Sequence, residues 1–311
     1  MTGLDSLYKA FQQIGEDPAQ IFTPETAYLV AYGHQVVGMA SVPGVIIIPE
    51  QTEQGIHAKV TVLEGYQLTA PVHLCFSLFE KYGGQNIELE LTLQAGSRAT
   101  FWSHCIFTMP EIARHTMTAN VTIKDGAQLT YNEVHYHGLS GGIEVIPKAT
   151  VVVGPQARYA AGFTLVQGRA GVLDIDYAVT VAEHGVAELT SKVYGRATDM
   201  IRIREVVSLD GEHARGLVKS RVALDDDATA EITGATYGNA AFARGHVDCL
   251  EIVRGNAKAS AIPEVRVTHP QAKVTHEAAI GSVDQAQLET LMARGLSPEE
   301  AVDRIILGML G

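Results

Sequence analysis

The side chains suited to metal or sulfur chemistry are three cysteines, Cys75, Cys105 and Cys249, and twelve histidines. Thiolate, imidazole and carboxylate together can hold iron or an iron–sulfur unit. In His246-Val247-Asp248-Cys249, a strand puts Val247 and Cys249 on one face and His246 and Asp248 on the other. His276-Glu277 follows roughly 28 residues later, one to two coils on in a stacked β architecture. Stacked coils bring the two segments side by side. Cys249, His276 and Glu277 are therefore a candidate metal set, with plain structural burial as the other reading.

Other constellations are weaker. Ser103-His104-Cys105 sets a thiol next to an imidazole in sequence but on opposite faces of a strand. Cys75 reads as a buried, inert thiol. His135-Tyr136-His137 puts two imidazoles on one face, as a metal site requires, but the Glu144 spacing does not complete a cupin-like set, and turn or surface histidines are expected. Asp174-Ile175-Asp176 and Asp225-Asp226-Asp227 read as a solvated strand and a solvated turn, not as the paired acids of a carbohydrate-active solenoid. No CxxC, GxSxG, P-loop or GxGxxG is present. An odd, sparse set of cysteines fits a reducing compartment. With 35 acids against 23 bases and a net charge of −12, nucleic-acid binding through phosphate neutralisation is not expected. No apolar run approaches the ~20 residues a membrane helix needs, and the first residues carry no secretion signal, so the expected location is the cytoplasm, away from the membrane.

The elements that must position these residues are mostly strands. From about Tyr28 to Ile280, short runs such as His57–Leu63, Ile87–Leu93 and Ala119–Ile123 alternate apolar and polar residues. A turn residue followed by alanine recurs between them: Gly96…Ala99, Asp125-Gly126-Ala127, Gly154…Ala157, Gly185…Ala187, Gly211…Ala214, Asp226…Ala228, Gly255…Ala257, Pro270…Ala272. The recurrence, at ~15 residues or about twice that, fits a β-solenoid with a small residue at each corner. A β-sandwich, with strands at ~8–12-residue intervals, is the alternative. The domains expected are a helical segment over 1–27, a β core over 28–280 and a helical segment over 281–311. In the first, Leu4, Leu7, Tyr8, Phe11 and Ile14 make one apolar stripe that Asp17-Pro18 ends. In the last, Asp284 to Gln287 and Ser297-Pro298-Glu299-Glu300 are N-terminal capping sequences, and Gly295 is a C′ residue. Leu288, Leu291, Met292, Leu296, Val302, Ile305 and Ile306 give these two helices more apolar surface than a short cap needs, so capping and partner docking both stand.

The segments Ile262-Pro263-Glu264, His269 through Gly281, Asp284 through Leu288 and Arg294 through Ala301 resemble the C-terminal region of the SufB/SufD family. Cys105, followed by His115 to Val121 and Asp125 to Tyr131, resembles the family's cysteine-to-strand segment. The resemblance covers about Thr61 to Gly311 and is to a compact, archaeal-type, SufB-like member. It implies a right-handed parallel β-helix with a short N-terminal helix and a C-terminal helical hairpin. It further implies dimerisation through β-helix strands (as a homodimer, expected here, or a SufB–SufD-type heterodimer), docking of a SufC-like ABC-type ATPase on the C-terminal helices, and assembly of a transiently bound iron–sulfur cluster. By the same resemblance Cys105 matches the cysteine that accepts sulfur, and His276 and Glu277 match residues at the cluster site. Two positions depart from the family. SufB has Glu-His-Glu where this chain has Thr275-His276-Glu277, and the SufB cluster cysteine falls at Val247, two residues before Cys249 on the same strand face. The chain is expected to be a scaffold and not an enzyme, with a structural adaptor that holds no cluster as the second reading.

Overall fold

Every alternating segment becomes a strand whose inner row is apolar. The computed structural model describes residues 3–13, 15–53 and 55–311. The strands are β1 (Ala27–Tyr32), β2 (Gln35–Ala40), β3 (Val45–Thr52), β4 (Gly55–Val62), β5 (Val72–Ser77), β6 (Tyr82–Leu93), β7 (Arg98–Phe107), β8 (Ile112–Ile123), β9 (Gln128–His137) and β10 (Ile143–Val153). They continue as β11 (Arg158–Gln167), β12 (Val172–Val181), β13 (Val186–Gly195), β14 (Met200–Leu209), β15 (Arg215–Leu224), β16 (Thr229–Gly238), β17 (Arg244–Val253), β18 (Lys258–Val267) and β19 (Lys273–Gly281). Odd-numbered strands from β5 to β19 form one sheet with β1 and β2, and even-numbered strands from β4 to β18 form the other with β3. The fold is a parallel β-solenoid, as expected. Its coil is two strands: each residue pairs with one roughly 29 positions further on. The ~15-residue unit of the sequence is half a coil. Only β1–β2 and β3–β4 are antiparallel among the described pairs.

The corners explain the turn-and-alanine signal. Gly96, Gly126, Gln156, His184, His213 and Phe242 all have positive φ and recur once per coil. Glycine reaches this region freely, and the early coils use it; later coils hold larger residues there, with the rings of His184, His213 and Phe242 stacked 4.8 Å apart. The alanines just beyond, Ala127, Ala157, Ala187, Ala214, Ala228 and Ala243, are completely buried where coils stack. The lumen between the sheets is one continuous apolar core from Ala27 to Cys249.

The terminal helices lie on the wall of the solenoid and not over its ends. On α1 (Gly3–Gln13), Leu7 and Phe11 pack on Val30, Cys75 and Ile106, which face outward from β1, β5 and β7. Ile14 and the side chain of Leu4 lie outside the described residues. Asp17-Pro18 opens a second short helix, α2 (Pro18–Ile21), because the Asp17 carboxylate accepts from the Ala19 backbone N–H at 3.0 Å. The hairpin of α3 (Gln285–Met292) and α4 (Pro298–Leu310) has the expected caps: Asp284 accepts from Gln287 N–H, Ser297 and Glu300 form a reciprocal capping box, and Gly295 has φ +98°. Ile306 and Leu310 of α4 bury against Tyr194, Ala223 and Ile252 on the outer face of β13, β15 and β17. The C-terminal end of the solenoid stays open: β18 and β19 are edge strands whose residues are mostly exposed, including Ile262, Val265, Val267 and Ile280. No helix among the described residues is long and apolar enough to cross a membrane.

Candidate functional site

Polar side chains concentrate in the lumen at β7 and β9. On β9 the inner row is Leu129, Tyr131, Glu133, His135 and His137, all buried. His135 and His137 are therefore not the turn or surface histidines expected. Strand parity counted from Leu129 carries them inward, where they pack on Phe107 and Phe163. On the adjacent strand Ser103 pairs with Glu133 and Cys105 with His135. His104 points out instead, against Phe11 of α1 and 3.2 Å from His73, so the sequence neighbours His104 and Cys105 are on opposite faces as expected.

Cys105 Sγ, a Glu133 oxygen and a His135 nitrogen lie within 4.8 Å of one another. Glu133 Oε1 is 2.8 Å from His135 Nε2, and Tyr177 donates to Glu133 Oε2 at 3.3 Å. His135 Nδ1 is 3.3 Å from His137 Nε2, and His137 Nδ1 donates to the Arg169 carbonyl at 2.9 Å. His115, reaching in from β8, is fully buried, and neither of its ring nitrogens has a hydrogen-bond partner among the described residues. Burial sets the protonation of this cluster. It pushes the Cys105 thiol well up, raises Glu133 to about 7 and pulls His135 and His137 down to about 3. Sequence reasoning missed Glu133 altogether; its place between Tyr131 and His135 on an inner row was the available signal.

Further polar groups continue the file along the lumen. Tyr159 and Tyr177 are buried beside it, and Ser191 donates to Glu205 at 2.6 Å. Cys249 on β17 also faces inward: a Cβ built on Gly234 of the opposite sheet would come within 3.5 Å of its sulfur. Burial lifts the Cys249 thiol to about 11 and Glu251, on the same row, to about 7. Both Cys105 and Cys249 thus face one lumen, with tyrosines and glutamates between them.

The other expected site residues sit on the open coil. His276 pairs with Val247 and Ala278 with Cys249, so His276 occupies the lumenal row diagonal to Cys249. Glu277 pairs with Asp248 on the outer row, where Arg221 binds Asp248 and His246 bonds Thr275 at 2.8 Å. His276 and Glu277 are both exposed. Among the described residues, the cluster of ligand atoms within 4.8 Å is the one at Cys105; Cys249, His276 and Glu277 do not form another. On the hairpin, Met292 is exposed, Leu288, Leu291, Leu296, Val302 and Ile305 are half-buried, and Ile306 is buried beneath α4.

Comparison with known proteins follows the same geography. Residues 78–309 match the family model described as SUF system FeS cluster assembly, SufBD core domain. An iron–sulfur cluster assembly SufBD family protein of Methanocaldococcus jannaschii is 36% identical over 308 residues, covering 99% of this chain and 98% of that protein. One of Pyrococcus horikoshii is 34% identical over 307 residues, with 99% and 93% covered. A second protein of that name from Pyrococcus horikoshii is 27% identical over 255 residues, spanning 80% of this chain and 56% of its own.

Proposed function

This chain belongs to the SufBD family of the SUF iron–sulfur cluster assembly system, and on that premise we propose that it is an assembly scaffold that receives sulfur at Cys105 and holds iron or a nascent cluster at its open coil. The cluster ligands are Cys249 and His276 from the lumenal row, with Glu277 supplied from the outer row. Two copies pair through β18 and β19, and an ABC-type ATPase docks on the C-terminal hairpin. The observation that carries this reading is the open coil itself. An entire two-strand coil, with unpaired edges, exposed apolar side chains and His276 one strand from Cys249, is left uncovered by the helices. Unpaired edges are a template for strand addition, and a second copy satisfies both edges at once. Burial of both thiols supports the same order of events. Neither cysteine is a resting thiolate, so sulfur and metal must arrive while the lumen is opened, which is work an ATPase on the neighbouring wall can supply.

Anaerobic reconstitution with iron and sulfide tests the scaffold reading. Cluster absorbance is expected in the wild-type chain and lost in Cys249→Ala and His276→Ala. No absorbance in the wild type would overturn the scaffold reading and favour the adaptor that organises the ATPase without holding a cluster; absorbance indifferent to both changes would overturn the assignment of Cys249 and His276.

A further inference from the structure

In the lumen at β7 and β9 a thiol, an imidazole and a carboxyl converge. A carbonyl oxygen only accepts, so His137 Nδ1, 2.9 Å from the Arg169 carbonyl, carries a proton. A neutral His137 offers Nε2 as an acceptor. His135 Nδ1 lies 3.3 Å from it. With the His135 proton on Nδ1, its Nε2 is free to take a cation beside Glu133 Oε1, 2.8 Å away, with the Cys105 sulfur alongside. Two lone pairs at that distance repel unless a proton on the carboxyl or a cation lies between them.

We propose that Cys105, Glu133 and His135 form a binding site for a divalent transition-metal cation of the Fe(II) type, inside the solenoid and apart from the open coil. Three observations carry it. The donor set is one sulfur, one nitrogen and one oxygen, which suits borderline-soft divalent cations and not magnesium or calcium. One thiolate and one carboxylate neutralise a dication, so the complex is uncharged and can be held in a low-dielectric lumen. The imidazole is oriented by a second histidine and a backbone carbonyl, the outer-shell arrangement that fixes the tautomer of a metal-binding histidine. With metal–nitrogen and metal–oxygen distances of ~2.0–2.1 Å at a tetrahedral centre, Glu133 Oε1 and His135 Nε2 need to part by only about half an ångström. His115 adds an imidazole with two unpaired nitrogens, its ring centred 6.2 Å from that of His135. A cavity of about 20 Å³, room for one water, adjoins Glu133, with Ala149 and Ala161 on its wall. The site depends on ligand geometry across β7 and β9 and holds whether or not a cluster forms at Cys249.

Cobalt(II), titrated anaerobically into the full-length chain, reports thiolate coordination as a near-ultraviolet charge-transfer band. One equivalent with that band is expected in Cys249→Ser, which lacks the thiolate of the open coil, and none in Cys105→Ser/Cys249→Ser. His137→Ala, which removes only the orienting partner, is expected to weaken binding about 10–100-fold. Circular dichroism reports whether each variant folds. X-ray absorption at the cobalt edge of the Cys249→Ser chain supplies a reading that needs no change in the cluster: one sulfur neighbour among nitrogen and oxygen neighbours. Absence of the band in Cys249→Ser, its survival in Cys105→Ser/Cys249→Ser, or a cobalt shell without sulfur overturns the proposal. A chain that assembles no cluster on reconstitution yet shows the Cys105-dependent band would remove the scaffold reading and leave this site standing.

Discussion

Val247 and His276 are register partners on the last two strands of one sheet, so His276 shares the lumenal row with Cys249 while Glu277 falls on the outer row beside Asp248. A single chain therefore offers Cys249 and His276 to one space and Glu277 to another. If all three hold one cluster, Glu277 must come from a second copy.

Intersubunit complementation tests that arrangement. Chains carrying Cys249→Ala and His276→Ala together, mixed and refolded with chains carrying Glu277→Ala, are expected to recover iron–sulfur absorbance that neither preparation shows alone. A mixed two-fold pair contains one complete site. Equal absorbance before and after mixing would place all ligands within one chain.

Glu205 makes stability fall as pH rises toward neutrality. Burial holds its carboxyl at about 7, above the ordinary value of ~4.3, although the Ser191 hydroxyl donates to it at 2.6 Å. Its folded pKa is raised, so between those values the folded state keeps a proton that the unfolded chain has lost. Stability is full below the lower value and falls as pH rises through about 7. Glu133 and Glu251 act in the same direction. His135 and His137, pulled down by burial, act oppositely and cost stability as pH falls below ~6.5. In Glu205→Gln, the gain in Tm over wild type is expected to grow from about pH 5 to about pH 7 and then level off. Thermal melts across that range check it, and a difference independent of pH refutes it.

The three thiols differ in what shields them. Cys75 sits under α1 on the outer wall, Cys105 lies mid-lumen, and Cys249 lies one strand from the open coil. All are buried, and burial raises each thiol above its ordinary value. Native anaerobic protein is expected to resist iodoacetamide at all three, with Cys249 labelled first as the end coil frays and Cys105 only on global unfolding. Peptide mass spectrometry over a labelling time course decides it; rapid native labelling of Cys105 would mean the lumen is open at rest.

The solenoid is legible because its signal is local. Most corners combine a positive φ with a small residue, and Gly126 with Ala127 displays both. The coil length is not legible, since it follows from pairing β15 with β17 and not with β16, a choice no short window contains. His135 and His137 were misplaced because polar residues on a strand ordinarily mark its wet face; here a second polar row faces the lumen, and only parity from Leu129 reveals it. The caps at Asp284 and Ser297 are readable for the same reason as the corners. Where α4 lands is set by Tyr194, Ala223 and Ile252 from three different coils, and no local pattern carries that.

The hairpin has a buried face and an exposed face, and paired substitutions exploit the division. Ile306 is fully buried against Tyr194, Ala223 and Ile252. Placing a carboxylate there leaves an unpaired buried charge, so Ile306→Asp is expected to detach α4 and cost about 3 kcal/mol or more. Met292 is 40% exposed and Leu307 48% exposed. Met292→Asp and Leu307→Asp are expected to change stability by no more than about 0.5 kcal/mol. If the hairpin is the dock, these two surface changes abolish co-purification with the ATPase while the melting curve stays put. Loss of binding in Ile306→Asp alone would show only that α4 must be folded. Binding that survives both surface changes would move the dock off this face, to the wall or the open coil.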